Sequence, residues 1–209
     1  MFRDRNDAAN QLAKQLDHYR DLHPLILAIP RGAVPMGKMI ADMLSGDLDV
    51  VLVRKLRAPG NPEFAIGSID ESGWTYLADY AGQFVHDSQY IEAEKAAQLK
   101  TMQERRKQYT PIRPPFDPEN RIVIVIDDGL ATGSTMIAAL HALKSKHPKK
   151  LICAVPVAPP DTLEKIKPYA DEIVCLDSPR DFYAVGQFYQ DFPQVSDEEV
   201  IQSLKSNRH

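Results

Sequence analysis

Two adjacent carboxylates and a turn of small, hydroxyl-bearing residues are the part of this sequence best suited to chemistry. Asp127 and Asp128 end an apolar run, and a turn follows three residues later. The turn consists of Ala131, Thr132, Gly133, Ser134 and Thr135. Carboxylates accept hydrogen bonds from neutral hydroxyls, and backbone amides at a turn that opens a helix bind phosphate. A ribose 5-phosphate meets both demands within a few ångströms.

The residues before the acid pair indicate the strand that must position it. Residues 122–126 read Ile-Val-Ile-Val-Ile, a β-branched run typical of an interior parallel strand that is buried on both faces. Ligands of open α/β sheets bind at the carboxyl ends of the strands, where both acids fall. Further strands are predicted at 25–29, 49–53, 151–155 and 172–176, with helices at 4–20, 34–44, 87–109, 133–147, 161–169 and from about 196. This alternation predicts a doubly wound, mainly parallel α/β sheet flanked by helices.

Residues 122–136 resemble the signature of the type I phosphoribosyltransferases, which bind 5-phosphoribosyl 1-pyrophosphate (PRPP). That signature has a hydrophobic strand, two acids, two variable residues, a small residue, Thr, Gly and further hydroxyl residues. The resemblance implies that Asp127 and Asp128 are catalytic and hydrogen-bond the ribose 2- and 3-hydroxyls. It implies that the 5-phosphate is bound by Gly129, Ala131, Thr132, Gly133, Ser134 and Thr135. The alternative is an ordinary strand, acidic loop and helix cap, since Asp, Ser and Thr are common caps.

A second motif, Pro30-Arg31-Gly32, follows the first predicted strand. In the resembling family a basic residue and a glycine at this place contact pyrophosphate through backbone amides, often beside a cis non-proline peptide. The resemblance therefore implies that Arg31 and Gly32 bind substrate and that the Pro30–Arg31 peptide is cis. An ordinary turn, with Pro30 ending the strand, is the alternative.

A pair of cations and the stretch after it predict a small hood over the sheet. Arg54 and Lys55 close the predicted strand 49–53, so they point toward the ligand edge as substrate-binding candidates, although a solvated strand end is also typical of adjacent cations. Residues 56–73 are rich in turn formers and predict a mobile loop with a hairpin, in short strands broken at Gly67 and Gly73. The resembling family has a flexible loop here that closes over substrate. The hood is assigned to residues 56–110 and the tail 178–209.

Composition limits the other function classes. The chain has 209 residues, 44% hydrophobic and 26% charged, which suits one phosphoribosyltransferase domain over 1–209. A net charge of -4 argues against broad nucleic-acid binding. No apolar run approaches the roughly 20 residues that span a bilayer, and the charged start is unlike a secretory signal, so we expect a cytoplasmic protein without membrane contact.

Cys153 and Cys175 are expected to be reduced thiols. The histidines form no nucleophile–base arrangement, and His86, near the hood, is the one of interest.

The resemblance implies a transferase that moves the phosphoribosyl group from Mg-PRPP to a nitrogenous base in nucleotide salvage or related metabolism, with release of pyrophosphate. Mg²⁺ would come with PRPP, so no protein metal site is expected. Dimers are common in resembling proteins, so a homodimer is an expectation. The alternative is a PRPP-binding regulator without transferase activity. PRPP synthesis is less favoured, because the sequence has no nucleotide-triphosphate loop.

The acceptor base is left open by the sequence. In 6-oxopurine members of the family, an Asp that handles a purine proton precedes the signature Thr, whereas this chain has Ala131. That difference argues against hypoxanthine or guanine, while adenine and uracil members carry a small residue there. Aromatic residues in 182–192 either stack on a planar base or seal the edge of the core.

Overall fold

The computed structural model describes residues 1–85, 87–109, 111 and 114–206, with Glu63 described by its backbone alone. The strands are β1 (Leu25–Ala28), β2 (Asp47–Val50), β3 (Val53–Ala58), β4 (Asn61–Asp70), β5 (Thr75–Leu77), β6 (Ile122–Ile126), β7 (Lys150–Val157) and β8 (Glu172–Asp177). The α-helices are α1 (Arg5–Gln15), α2 (Ala33–Leu44), α3 (Ser88–Tyr109), α4 (Ser134–Lys144), α5 (Pro160–Ile166) and α6 (Asp197–Ser206). His86 lies outside the described residues.

The main sheet has five parallel strands in the order β2-β1-β6-β7-β8. The strand that carries the acid pair, β6, is therefore central, as its apolar run predicts. Because successive side chains of a strand point to opposite faces of the sheet, the sheet contributes residues to two apolar layers, one on each face. Ile124 and Ile126 pack in the layer that includes α1 and α2, whereas Val123 and Val125 pack in the layer that includes α4. The predicted doubly wound α/β sheet is confirmed.

The first helix anchors the amino-terminal end of the chain against this sheet. Its side-chain cap is Asp4, which accepts a hydrogen bond from the Asp7 amide at 2.8 Å. The sequence of this segment places apolar residues at helical spacing on one side, and each of them is buried, namely Ala8, Leu12, Leu16 and Tyr19. The helix ends at Gln15 rather than at residue 20, and a 3₁₀ turn over 17–19 completes this apolar side.

A small antiparallel sheet, β3-β4-β5, forms the hood together with α3. Here one predicted strand was wrong: 49–53 is not continuous, because β2 ends at Val50 and Val53 begins β3 of the second sheet. Residues 51–53 are buried and apolar throughout, so no polar residue marks this boundary. The predicted break at Gly67 is also wrong, since Gly67 pairs with both neighbours inside β4, whereas the break at Gly73 is confirmed as the β4–β5 turn.

The tail returns to the start of the chain beside the sheet edge that carries the acids. Phe2 forms a parallel bridge with Tyr189, and its amide donates to the Phe188 carbonyl oxygen at 2.7 Å. The Gln190 amide donates to the Phe2 carbonyl oxygen at 2.9 Å. The N-terminal segment and residues 188–193 therefore form one unit next to the site.

Candidate active site

A cavity of about 440 Å³ opens at the carboxyl ends of β1 and β6. It is lined by Ile29, Pro30, Gly32, Lys55, Phe64, Ala65, Tyr80, Asp127, Asp128, Gly129, Leu130, Ala131, Thr132, Gly133, Thr135 and Val185. One side is therefore the acid pair and the turn that follows it. The opposite side comes from the hood strands and the residues after β5.

The two carboxylates lie together where β6 ends. The Asp128 amide donates to Asp127 Oδ1 at 2.9 Å, which fixes the first carboxylate against the backbone of the second. Both groups are half-buried at the cavity wall, and this burial, together with the negative charge of Asp128, raises the pKa of Asp127 well above its ordinary value. Burial also raises the pKa of Asp128, although Arg5 opposes that change. The pair therefore favours a ligand that offers hydrogen-bond donors or a cation.

Arg5, from the first turn of α1, is the cationic partner of Asp128. Its Nε and Nη2 atoms both lie 2.9 Å from Asp128 Oδ2. Its Nη1 donates to the Pro193 carbonyl oxygen at 2.6 Å, and the guanidinium carbon lies 3.8 Å from the centroid of the Phe192 ring. The Tyr189 hydroxyl donates to the Asp128 carbonyl oxygen at 2.7 Å, so the tail also holds the backbone of this residue.

The turn after the acids leads directly into α4. Gly133 precedes the helix with φ 76° and ψ 1°, a left-handed conformation that a residue with a side chain adopts only with strain. The Thr162 hydroxyl donates to the Ala131 carbonyl oxygen at 2.6 Å and holds the turn from α5. Among the described residues, the amides of Thr132, Gly133 and Thr135 have no acceptor, as expected just before and within the first turn of a helix. These amides are available to bind an anion.

The loop after β1 lies against the acid pair. The Pro30–Arg31 peptide is cis, as the resemblance implies. A Cβ atom at Gly32 would lie 2.2 Å from Asp128 Oδ2, so no side chain fits between this loop and the carboxylate. The Arg31 side chain does not line the cavity, because its Nη1 faces Asp197 Oδ2 at 3.8 Å. Any contact of Arg31 with a ligand in the cavity would therefore be made by its backbone.

Three further residues were predicted to bind substrate, and the structure gives them different surroundings. Lys55 lines the cavity, but Arg54, its neighbour on β3, points the other way and donates from Nε to Gln98 Oε1 at 2.9 Å. The two cations therefore do not act as a pair. Ser134 is buried, and its carbonyl oxygen accepts from the Ser68 hydroxyl at 2.6 Å while its own hydroxyl lies 2.9 Å from Thr132 Oγ1. Ser134 supports the turn, whereas Gly129, Ala131, Thr132, Gly133 and Thr135 line the cavity.

Sequence reasoning missed Arg5 and the hood aromatics Phe64 and Tyr80. It named Tyr189 among the tail aromatics but not its contact with Asp128. The aromatic residues in 182–192 were left open between stacking on a base and sealing the core edge. Tyr189 and Phe192 are on the sealing side, because they stack on each other with Tyr189 buried and bonded to the Asp128 backbone, while Tyr183 is 90% exposed. The aromatic wall of the cavity is instead Phe64 and Tyr80, whose ring centroids lie 5.6 Å apart. The aromatic residues of the hairpin and of the segment after it were the available signal.

Within the described ranges, no group of three or more His, Cys, Asp or Glu side chains is placed to hold a metal ion. The donors at the cavity floor are carboxylate and hydroxyl oxygens, which suit Mg²⁺ that arrives on a phosphorylated ligand and keeps much of its water. Cys153 and Cys175 are free thiols. No helix in the described part of the chain is long and apolar enough to span a membrane.

Comparisons with known proteins place this geometry in context. The family model described as "Phosphoribosyl transferase domain" matches residues 3–193. The "Putative phosphoribosyl transferase Rv0571c" of Mycobacterium tuberculosis is 39% identical over 205 residues, which cover 98% of this chain and 46% of that protein. The chain thus spans about half the length of this curated relative.

Further similar proteins include one of known structure and one curated enzyme. The crystal structure of TT1426 from Thermus thermophilus is 42% identical, superposes with a TM-score of 0.82, and covers 100% of this chain and 99% of its own. The uracil phosphoribosyltransferase of Clostridioides difficile is 39% identical over 59 residues, 28% of each chain.

Proposed function

The chain belongs to the phosphoribosyl transferase domain family, and we propose that it transfers the 5-phosphoribosyl group of Mg-PRPP to a nitrogenous base. The products are a nucleoside monophosphate and pyrophosphate. One observation carries the proposal: a single cavity is lined by the acid pair, the free amides of the turn and the Pro30–Gly32 loop. A sugar with a diol, a 5-phosphate and a 1-pyrophosphate presents a group to each of them.

In the proposed complex the ribose 5-phosphate lies across the end of β6. The 5-phosphate accepts hydrogen bonds from the amides of Thr132, Gly133 and Thr135, and the positive end of the α4 dipole favours its charge. The ribose 2- and 3-hydroxyls donate to Asp127 and Asp128. Each of these hydrogen bonds joins a neutral donor to a charged acceptor, and such a bond is stronger than one between two neutral groups.

The leaving group is assigned to the loop after β1 and to Lys55. A nitrogen lone pair of the base forms a bond to ribose C1 while the bond from C1 to the pyrophosphate oxygen breaks, and its electrons leave with pyrophosphate. The proton carried by the acceptor nitrogen passes to the departing pyrophosphate, so the base of the product is neutral. Positive charge that develops at C1 is stabilised by Asp127 and Asp128. Negative charge that develops on pyrophosphate is stabilised by the Lys55 ammonium and by the backbone of Arg31 and Gly32, donors fixed in place before the reaction.

The acceptor is assigned to the aromatic wall of the hood. Tyr80 is fixed there because its hydroxyl donates to the Ala65 carbonyl oxygen at 2.9 Å, and Phe64 packs on Phe84 with centroids 4.8 Å apart. A planar base stacks favourably on such rings. Because Ala131 has no titratable side chain, the turn itself gives no general acid or base, which favours adenine or a pyrimidine over a 6-oxopurine.

Mg²⁺ would enter with PRPP as part of the substrate, near the oxygens of Asp127 and Asp128, and would supply charge neutralisation. We place the reaction in cytoplasmic nucleotide metabolism, where free thiols such as Cys153 and Cys175 persist. We also propose that the protein forms a homodimer.

The test is pyrophosphate release from Mg-PRPP with a panel of purine and pyrimidine bases. Wild-type protein should release pyrophosphate with at least one base. The double variant Asp127→Asn/Asp128→Asn should lose about 10²- to 10⁴-fold in kcat/KM, because two hydrogen bonds to charged groups contribute about 1.5–3 kcal/mol each. Circular dichroism should show that the variant keeps its fold.

Asp21→Asn is the matched control, since Asp21 is exposed, lies before the opposite end of β1 and has φ 63°, a conformation that Asn tolerates. It should react like the wild type. Unchanged kinetics in the double variant would reject the ribose-hydroxyl role. Tight PRPP binding by the wild type without turnover on any base would favour the regulator instead.

A further inference from the structure

The ion pair between Arg5 and Asp128 joins residues 123 positions apart in the chain. Two nitrogens of one guanidinium, Nε and Nη2, lie 2.9 Å from the same oxygen, Oδ2. Because Arg5 takes Oδ2, Oδ1 is the oxygen left for a ligand. The contact therefore gives the carboxylate a defined orientation as well as a partner.

The pair is built into the protein rather than formed at its surface. Only 12% of the Arg5 side chain and 16% of the Asp128 side chain are exposed. The Pro193 carbonyl oxygen accepts from Arg5 Nη1 at 2.6 Å, and Phe192 lies under the guanidinium. A surface ion pair contributes little because both side chains stay mobile, whereas this arginine is held on three sides.

The loop after β1 packs directly on the same pair. A Cβ atom at Gly32 would lie 2.2 Å from Asp128 Oδ2 and 3.2 Å from Arg5 Nη2. The carboxylate is thus confined between Arg5 on one side and the loop assigned to pyrophosphate on the other. A small movement of Arg5 would therefore displace both the Asp128 carboxylate and this loop.

We propose that Arg5 is a positioning residue for phosphoribosyl binding: it fixes Asp128 through Oδ2 so that Oδ1 faces the ribose hydroxyl. The proposal rests on the proposed function, because the hydroxyl belongs to PRPP. It assigns a role to the N-terminal helix and, through Phe192 and Pro193, to the tail, both remote in sequence from the turn that binds phosphate.

The electrostatics give the proposal a pH signature. The groups that face Asp128 are Arg5 from α1, Lys55 from β3, Tyr189 from the tail and Asp127 beside it. Burial raises the pKa of Asp128, and Arg5 and Lys55 lower it. Removing the Arg5 charge should raise this pKa further, so the ionised carboxylate would be lost at a higher pH as the solution is acidified.

The experiment is calorimetric titration of Mg-PRPP into wild type, Arg5→Met, Arg5→Lys and Arg3→Met, from about pH 5 to about pH 8. Met keeps a long apolar stem over Phe192 without the charge. Arg3→Met is the matched control, because Arg3 carries the same charge two residues earlier but its side chain is 74% exposed. A parallel ¹³C NMR titration follows the carboxyl carbon of Asp128 without ligand, identified by its loss in Asp128→Asn.

An opposite charge at this distance lowers a carboxyl pKa by about 1–3 units. Arg5→Met should therefore lose more affinity at the acid end than at the basic end, by up to about tenfold for each unit by which the Asp128 pKa rises. Arg5→Lys should follow the wild-type pH profile with uniformly weaker binding, and Arg3→Met should match the wild type. An equal loss at every pH, with an unchanged Asp128 titration, would overturn the proposal.

The two hypotheses fail in different ways. If the wild type does not bind Mg-PRPP, the proposed function is wrong, while the NMR titration still decides whether Arg5 controls Asp128. If Arg5→Met does not fold, Arg5→Gln keeps a hydrogen-bond donor without charge and should show the same acid-end loss.

Discussion

Replacement of Gly32 by alanine should disable the site without disturbing the backbone. Gly32 has φ -54° and ψ -35°, a right-handed helical conformation that alanine adopts freely. In an open position Gly→Ala would stabilise the fold by about 0.4–1 kcal/mol, because it restricts the unfolded chain. Any loss must therefore come from what the new methyl group meets.

The methyl group meets Asp128. Its carbon would lie 2.2 Å from Oδ2, whereas ordinary contact begins at 3.4 Å, so the carboxylate must move by about 1 Å. Movement on this scale breaks the fit to Arg5, and overpacking of this kind costs about 1–3 kcal/mol. A misplacement of about 1 Å at a reacting site costs on the order of 10²-fold in rate.

The assay combines thermal unfolding with kcat/KM for pyrophosphate release. Gly82→Ala is the matched control, since a Cβ at Gly82 has no neighbour within 4 Å. It should leave kcat/KM unchanged and stabilise the fold by no more than about 0.4–1 kcal/mol, as expected for an open position. In an Asp128→Ala background, Gly32→Ala should lose more than half of its effect on stability, because the clashing oxygen is gone. Wild-type stability and a kcat/KM within about twofold for Gly32→Ala alone would refute this reasoning.

Two further predictions concern the phosphate turn and the hood. Gly133→Val should weaken PRPP binding in calorimetry, because a Cβ at this position would lie 2.8 Å from Thr162 Cγ2 and crowd the turn. Gly73→Val is the control: Gly73 also has a positive φ but contacts no residue of the active-site cavity, so this variant should bind PRPP as the wild type does. Equal PRPP affinity in both variants would contradict the assignment of the phosphate to this turn. Limited proteolysis within residues 56–73 should slow when Mg-PRPP is present, as expected if the β3–β4 hairpin closes over the ligand, whereas a cleavage rate indifferent to PRPP would count against closure.

The sequence was a good guide wherever the determining contacts are local. The run from Ile122 to Ile126 predicted the central strand because burial on both faces imposes a continuous apolar pattern. The acids and the turn 131–135 follow that strand without interruption, so their meeting in one cavity was predictable. The Pro30–Arg31 loop was located for the same reason, since it directly follows β1.

The missed features depend on contacts between distant parts of the chain. Arg5 meets Asp128 across 123 residues, and nothing in the spacing of either residue shows this. The alternation along β3 separates Arg54 from Lys55, but a strand predicted to end at Val53 could not reveal it. On α3 the buried face carries Glu94 and Gln98 as well as Met102, because Arg57 pairs with Glu94 from β3. A search for apolar residues at helical spacing would therefore not identify the whole buried face of this helix.

A crystal structure of the wild-type protein with Mg-PRPP tests the central claim most directly. The account predicts both ribose hydroxyls within about 3 Å of the Asp127 and Asp128 carboxylates, with the 5-phosphate on the amides of Thr132, Gly133 and Thr135. Density for PRPP elsewhere, or a ribose whose hydroxyls point away from both acids, would contradict it.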